Sequence, residues 1–151
     1  MSPQTFRLVM MVGVAHAMVH IYEHALPSVE QLIAGDYDVT QETTGALGAC
    51  WRFPFGMGAF VAGWLVDRIG SKPLLIVYLL GCSATSLVTY FAPSIHVLFV
   101  TMFTMGLFAS IYHPAGLALI SHETTPANRT LALGYHGIFG SIGIAAAPFL
   151  A

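Results

Sequence analysis

Five apolar stretches alternate with short polar segments along the chain. They cover about residues 6–33, 43–66, 73–91, 95–120 and 130–151. Each is near or above the roughly 20 residues that a membrane-spanning helix needs. The polar breaks are Gly35 to Glu42, Asp67 to Lys72, Ala92-Pro93-Ser94 and Ser121 to Arg129. The pattern predicts an all-α membrane protein with five transmembrane helices. Pro73 suits the first turn of the third helix, because proline needs no hydrogen-bond acceptor there. Pro114 lies inside the fourth and is expected to kink it, by removing one N–H from the helical ladder. The fifth stretch runs to Ala151 with no polar flank. The chain is therefore expected to be truncated, a fragment of a longer one with a missing C-terminal part.

Composition sharpens the class. Hydrophobic residues make up 56% and charged residues 8%, against a charged share of about 25% in soluble domains. An ordinary soluble domain is excluded. A net charge of −2 gives no attraction for nucleic acid, so no nucleic-acid partner is expected. Cys50 and Cys82 both fall in apolar runs and read as packing residues. The first run is too long for a cleaved signal and lacks a small-residue cleavage pattern. No catalytic constellation and no phosphate-binding loop are visible, so neither an enzyme nor a cofactor is expected, and no metal is assigned.

Charge also orients the chain. Arg7, Arg68, Lys72 and Arg129 fall on one side if the helices alternate, and the opposite loops carry no Lys or Arg. By the positive-inside rule that side is cytoplasmic. A multi-pass protein of the inner (plasma) membrane with a cytoplasmic N-terminus is expected.

Several ionisable residues interrupt the apolar runs. His16, His20, Glu23 and His24 fall within an arc of about 100° on the first helix. Charged or titratable groups inside a membrane are costly and are usually functional. The stripe is expected to line a cavity that binds substrate or handles protons; a structural polar seam is the plainer alternative. Arg52, in the second helix, matches Glu23 in depth, and a buried arginine calls for a partner. A Glu23–Arg52 pair, direct or water-bridged, is therefore expected, the alternative being that Arg52 snorkels to the outer surface. His113 beside Pro114, and His136 in the fifth helix, are further candidates for the substrate and proton pathway. Gly134, Gly137, Gly140 and Gly143 recur every three residues and are expected, with Ala147, to pack closely on a neighbouring helix.

The stretch Gly63-Trp64-Leu65-Val66-Asp67-Arg68-Ile69-Gly70-Ser71-Lys72-Pro73-Leu74-Leu75 resembles the signature loop of the major facilitator superfamily. That loop, G-x-L-a-D-r-x-G-r-k-x-x-l, joins the second and third helices of the family on the cytoplasmic side. Gly63, Leu65, Asp67, Arg68, Gly70, Lys72 and Leu75 match, and Ser71 replaces a basic residue. The resemblance implies a twelve-helix secondary transporter of two six-helix halves. Residues 1–151 would then be the N-terminal part of its transporter domain, up to the fifth helix. Gly63, Asp67, Arg68, Gly70 and Lys72 would form a conformational gating loop. The fifth helix is similar to the antiporter motif G-x8-G-x3-G-P-x2-G-G: Gly134, Gly143 and Pro148 match, and Ala147 and Ala151 replace glycines.

His16 followed by Tyr22, Ala25, Leu26 and Pro27, then Tyr112-His113-Pro114, then Leu133-Gly134-Tyr135-His136-Gly137, resemble the fosmidomycin-resistance group of drug exporters. His20 stands where that group often has an acidic residue. The R-x3-G pattern of many proton–drug antiporters is replaced by Met102 four residues before Gly106. The resemblance implies proton-coupled export of a small organic compound by alternating access, with the lipid bilayer, the substrate, protons and the missing C-terminal half as partners. The alternative is a membrane haem- or metal-binding electron carrier that uses the intramembrane histidines.

Overall fold

The computed structural model describes residues 1–151, and they form six helices and no strands. These are α1 (Pro3–Asp36), α2 (Gln41–Ile69), α3 (Ser71–Tyr90), α4 (Ile95–Ala109), α5 (Tyr112–Glu123) and α6 (Pro126–Leu150). Four helical spans are long and apolar enough to cross a membrane: α1, α3, α4 with α5 taken together, and α6. The remaining long helix, α2, has 29 residues and carries Arg52.

Local chemistry sets the helix ends. Ser2 caps α1 by accepting from the Thr5 N–H, with Pro3 in the first turn. Thr40 caps α2 by accepting from the Thr43 N–H. The charged turn between α2 and α3 contracts to a single non-helical residue, Gly70, at φ +92°. That left-handed backbone favours glycine because it has no Cβ to clash. Asp67 and Arg68 therefore sit in the last turn of α2, and Lys72 in the first turn of α3.

Two boundaries differ from the sequence-based expectation. The fourth span is interrupted at Ser110-Ile111, where α4 ends and α5 begins, although both residues keep right-handed helical backbone. Pro114 cannot donate to the Ser110 carbonyl, so the ladder has no bond to carry across that point. The expected polar loop from Ser121 to Arg129 shrinks to Thr124-Thr125, since α5 runs to Glu123 and α6 starts at Pro126. Pro126 in the first turn, after Thr125 in extended backbone, starts the helix before the sequence turns apolar.

Side-chain bonds fix which ends lie together. At one end the Tyr37 hydroxyl donates to the Ala92 carbonyl at 2.8 Å, and the Thr44 hydroxyl donates to Glu30 at 2.8 Å. At the other, Lys72 Nζ lies 3.1 Å from Glu123 Oε1, and the Phe6 and Tyr135 rings meet edge to face at 5.7 Å. Arg129 donates to the Ser121 carbonyl at 2.9 Å at this same end. Arg7, Arg68, Lys72 and Arg129 thus fall at one end of the bundle.

The core is apolar and centred on α1, which packs most extensively on α6. Val9, Val12, Val19, Leu47, Tyr78, Cys82, Tyr112 and Ile120 are buried in it. Two tyrosines from neighbouring helices grip the α1 backbone: Tyr78 of α3 donates to the Ala15 carbonyl at 2.9 Å, and Tyr112 of α5 to the Val12 carbonyl at 2.8 Å. Both cysteines are free thiols, Cys82 buried and Cys50 half-buried. Phe53, Phe60, Leu80, Tyr90 and Phe149 are exposed on the outside, where large apolar side chains suit lipid.

Only part of the glycine series packs closely. A Cβ at Gly140 would meet the His16 ring, and one at Gly143 would strike the Ala17 backbone of α1. Gly134 and Gly137 have no neighbour within 4 Å. A step of three residues turns a helix by about −60°, so Gly134 and Gly143 point in opposite directions.

A candidate histidine site between three helices

The polar stripe of α1 turns inward and meets α5 and α6. His16 and His136 are buried, while His20, Glu23, His24 and His113 are half-buried. Thus six of the seven predicted pathway residues lie in one cluster. The His16 and His136 rings stack with centroids 3.8 Å apart and planes 12° from parallel. The Tyr112 ring lies nearly parallel to both, 5.3 Å from His16 and 6.1 Å from His136. The His113 ring stands edge-on to His16 at 5.4 Å and to Phe55 of α2 at 5.9 Å.

Hydrogen bonds fix most of the tautomers. His16 Nδ1 lies 2.8 Å from the His136 carbonyl oxygen, which can only accept, so Nδ1 carries the proton. The neutral ring then offers its Nε2 lone pair to His20 Nε2, 3.1 Å away, and His20 donates. On the far side of that ring, His20 Nδ1 lies 2.9 Å from Glu23 Oε2. These two atoms need a further proton between them, held either as a His20 imidazolium beside a Glu23 carboxylate or as a Glu23 carboxylic acid. His24 Nδ1 donates to the His20 carbonyl at 3.0 Å. Tyr112 has already given its proton to Val12, so its oxygen accepts from His136 Nε2–H at 3.0 Å. The continuous line Glu23–His20–His16–His136 therefore links α1 to α6. The His113 side chain makes no hydrogen bond with the rest of the chain.

Arg52 is not part of this line. It lies on an exposed face of α2, with Nη1 over Gly48. No direct ion pair with Glu23 forms, because Glu23 turns to His20 instead. Equal depth matched the two residues, but depth does not set rotation about the helix axis. Trp51 and Pro54 are buried, whereas Arg52 is exposed and folds its guanidinium back over Gly48, on the side of α2 that meets Leu26 of α1. Tyr112, absent from the sequence-predicted site, ties the His136 ring to the Val12 carbonyl of α1, beside the direct His16–His136 bond; its place next to His113 was the available signal. Met102 and Met105 line a separate apolar cavity of about 160 Å³ between α1 and α4, with Tyr22 and Leu26.

The signature segment lies at the basic end. Arg68 stacks over the Trp64 ring at 4.3 Å, and Lys72 pairs with Glu123. Asp67 makes no ion pair within residues 1–151, and Gly63 has open space beside it.

Comparison with known proteins agrees with this architecture. The chain is 26% identical over 117 residues to a Cupriavidus necator protein named "Probable sulfoacetate transporter SauU", covering 78% of this chain and 27% of that protein. It is 30% identical over 122 residues to the puromycin resistance protein pur8 of Streptomyces alboniger, covering 80% of this chain and 24% of the relative. It is 27% identical over 120 residues to multidrug resistance protein 1 of Bacillus subtilis, covering 80% and 31%. The matched region thus amounts to between about a quarter and a third of each relative's length. These relatives do not favour a haem-based electron carrier. The sequence profile of the Major Facilitator Superfamily matches residues 8–151, nearly the whole chain, and with this helical architecture the chain belongs to that superfamily.

Proposed function

We propose that the chain is the N-terminal part of a secondary transporter that exports a small organic compound in exchange for protons. Alternating access would rock two six-helix halves about a central cavity, in the plasma membrane with the basic end cytoplasmic. The observation that carries this is the convergence of His16, His20, Glu23, His113 and His136 inside an otherwise apolar bundle. Groups so costly in a membrane are retained where a substrate or ion passes. The resistance proteins among the relatives support export of drug-like compounds, as does the resemblance to the fosmidomycin-resistance group.

Export is tested with the full-length protein produced in a bacterial host that lacks its own efflux pumps. Puromycin and fosmidomycin are the probes. Reduced accumulation of either compound is expected, and reversal on collapsing the pH gradient. Unchanged accumulation of both, with the protein present in the membrane, would count against export of this class; export that survives loss of the gradient would remove the proton from the scheme.

A further inference from the structure

The hydrogen-bond pattern orients two imidazole nitrogens at each other in an unusual way. A backbone carbonyl holds His16 by Nδ1, and a carboxylate holds His20 by Nδ1. Both rings are thereby turned so that their Nε2 atoms converge, 3.1 Å apart. A carbonyl or carboxylate on one nitrogen, with the other turned inward, is the outer support that metal-binding histidines receive. In a tetrahedral zinc site with Zn–N bonds of about 2.05 Å, neighbouring nitrogens stand about 3.3 Å apart. The His16–His20 edge already has nearly that length.

His113 supplies a third donor. One nitrogen from each of His16, His20 and His113 lies within 4.8 Å of the others. No hydrogen bond from the chain holds the His113 ring, so closing the remaining gap breaks none and needs only a shift within its contacts to His16, His20, Tyr112 and Phe55. The three residues come from both sides of the α1–α5 contact, and Glu23 adds a negative charge directly behind His20. That charge offsets part of the cost of placing a dication in a low-dielectric interior.

We propose that His16, His20 and His113 form a binding site for a divalent transition-metal ion of the zinc class. Glu23 and the His136 carbonyl act as positioning groups for the first two ligands. Without the ion, a proton lies between the two Nε2 atoms; binding releases it to solvent and leaves His20 neutral, with its Nδ1–H on the Glu23 carboxylate, and the cation sits to one side of the Nε2–Nε2 line. Three imidazoles leave a fourth coordination position open for water or for an anionic group of a transported compound. Neutral imidazole donors suit zinc, cobalt and nickel rather than magnesium or calcium. His24 groups with His20 and Glu23 rather than with His16 and His113, so it stays outside this ligand set.

The test uses the purified full-length protein in detergent, with Zn2+ and Co2+ alone as probes, and needs no transport. One Zn2+ per chain is expected, with intense visible Co2+ bands typical of four-coordination. His20→Ala and His113→Ala should each weaken binding by more than about 100-fold, and Glu23→Gln by about 10–100-fold. His96→Ala and His122→Ala, at histidines outside the cluster, should bind as the parent does. Monodisperse elution of each variant controls for misfolding, and the milder His20→Gln serves if His20→Ala fails to fold. Binding of less than one ion per chain, or His20 and His113 variants that bind like the parent, would overturn the site. Failure of drug export would leave this result untouched.

Discussion

Tyr112 and His136 are joined by a 3.0 Å bond in which the tyrosine oxygen accepts and the histidine Nε2–H donates. The direction follows from the tyrosine's other bond, to the Val12 carbonyl. Tyr112→Phe would leave the buried His136 N–H without its acceptor. An orphaned buried donor costs about 1–3 kcal/mol. A lower melting temperature of the purified full-length protein is expected, with the further loss from His136→Ala smaller in the Tyr112→Phe background than in the parent. Equal losses in both backgrounds would show that the bond contributes nothing.

The α1–α6 interface sorts the four regularly spaced glycines. Gly143→Ala would push a methyl into the Ala17 backbone, which cannot yield, and Gly140→Ala would press on the stacked His16 ring. Overpacking of this kind costs about 1–3 kcal/mol. Gly134→Ala and Gly137→Ala meet open space and gain up to about 1 kcal/mol of helix propensity. Thermal stability of the four variants should therefore split into two losses and two neutral or slightly stabilised proteins. Four equal losses would contradict the packing.

Much of this was legible in the sequence. Apolar run lengths placed the long helices, although α2 is not among the four spans apolar enough to cross a membrane, and the four basic residues were assigned to one end, where the structure finds them. Three-residue spacing alone could not show that Gly134 and Gly143 face opposite ways; that needs the accumulated rotation. Helix ends were misjudged where capping, at Thr125-Pro126, precedes the apolar boundary. The break at Ser110-Ile111 was foreseen as a kink at Pro114, but its position depends on the Ser110 carbonyl one turn earlier. Arg52 was matched to Glu23 by depth, whereas Glu23 had a nearer partner one turn along its own helix. Side-chain direction about a helix axis is set by packing with neighbours, which the sequence of one helix does not contain.

Arg129 illustrates a basic residue whose role exceeds orientation. Its Nη2 donates to the Ser121 carbonyl at 2.9 Å and the Thr124 carbonyl at 3.3 Å, closing the C-terminal end of α5. Charged donors at a helix C-terminus satisfy free carbonyls and complement the helix dipole. Arg129→Ala should lower stability by about 1–2 kcal/mol. Arg129→Lys, which keeps the charge but loses the planar fork, should recover only part of it. Full recovery by lysine in thermal melts would show that charge alone matters.

Lys72 and Glu123 join the signature turn to the end of α5, across 3.1 Å, with the two side chains 66% and 40% exposed. So open an ion pair contributes little to stability, about 0–1 kcal/mol at most. Its place suggests an effect on switching instead, since a contact made in one conformation and broken in the other shifts their balance. Lys72→Gln and Glu123→Gln are each expected to change melting temperature little while lowering the turnover of the full-length transporter. The exchange Lys72→Glu with Glu123→Lys should restore more turnover than either charge reversal alone. Asp67, beside the same turn but unpaired within residues 1–151, separates the two effects. Asp67→Asn should slow transport with substrate affinity nearly unchanged, read by equilibrium binding and initial rates on the same protein. A large loss of affinity with normal turnover would place Asp67 in the binding cavity, contrary to its position at the basic end of the bundle.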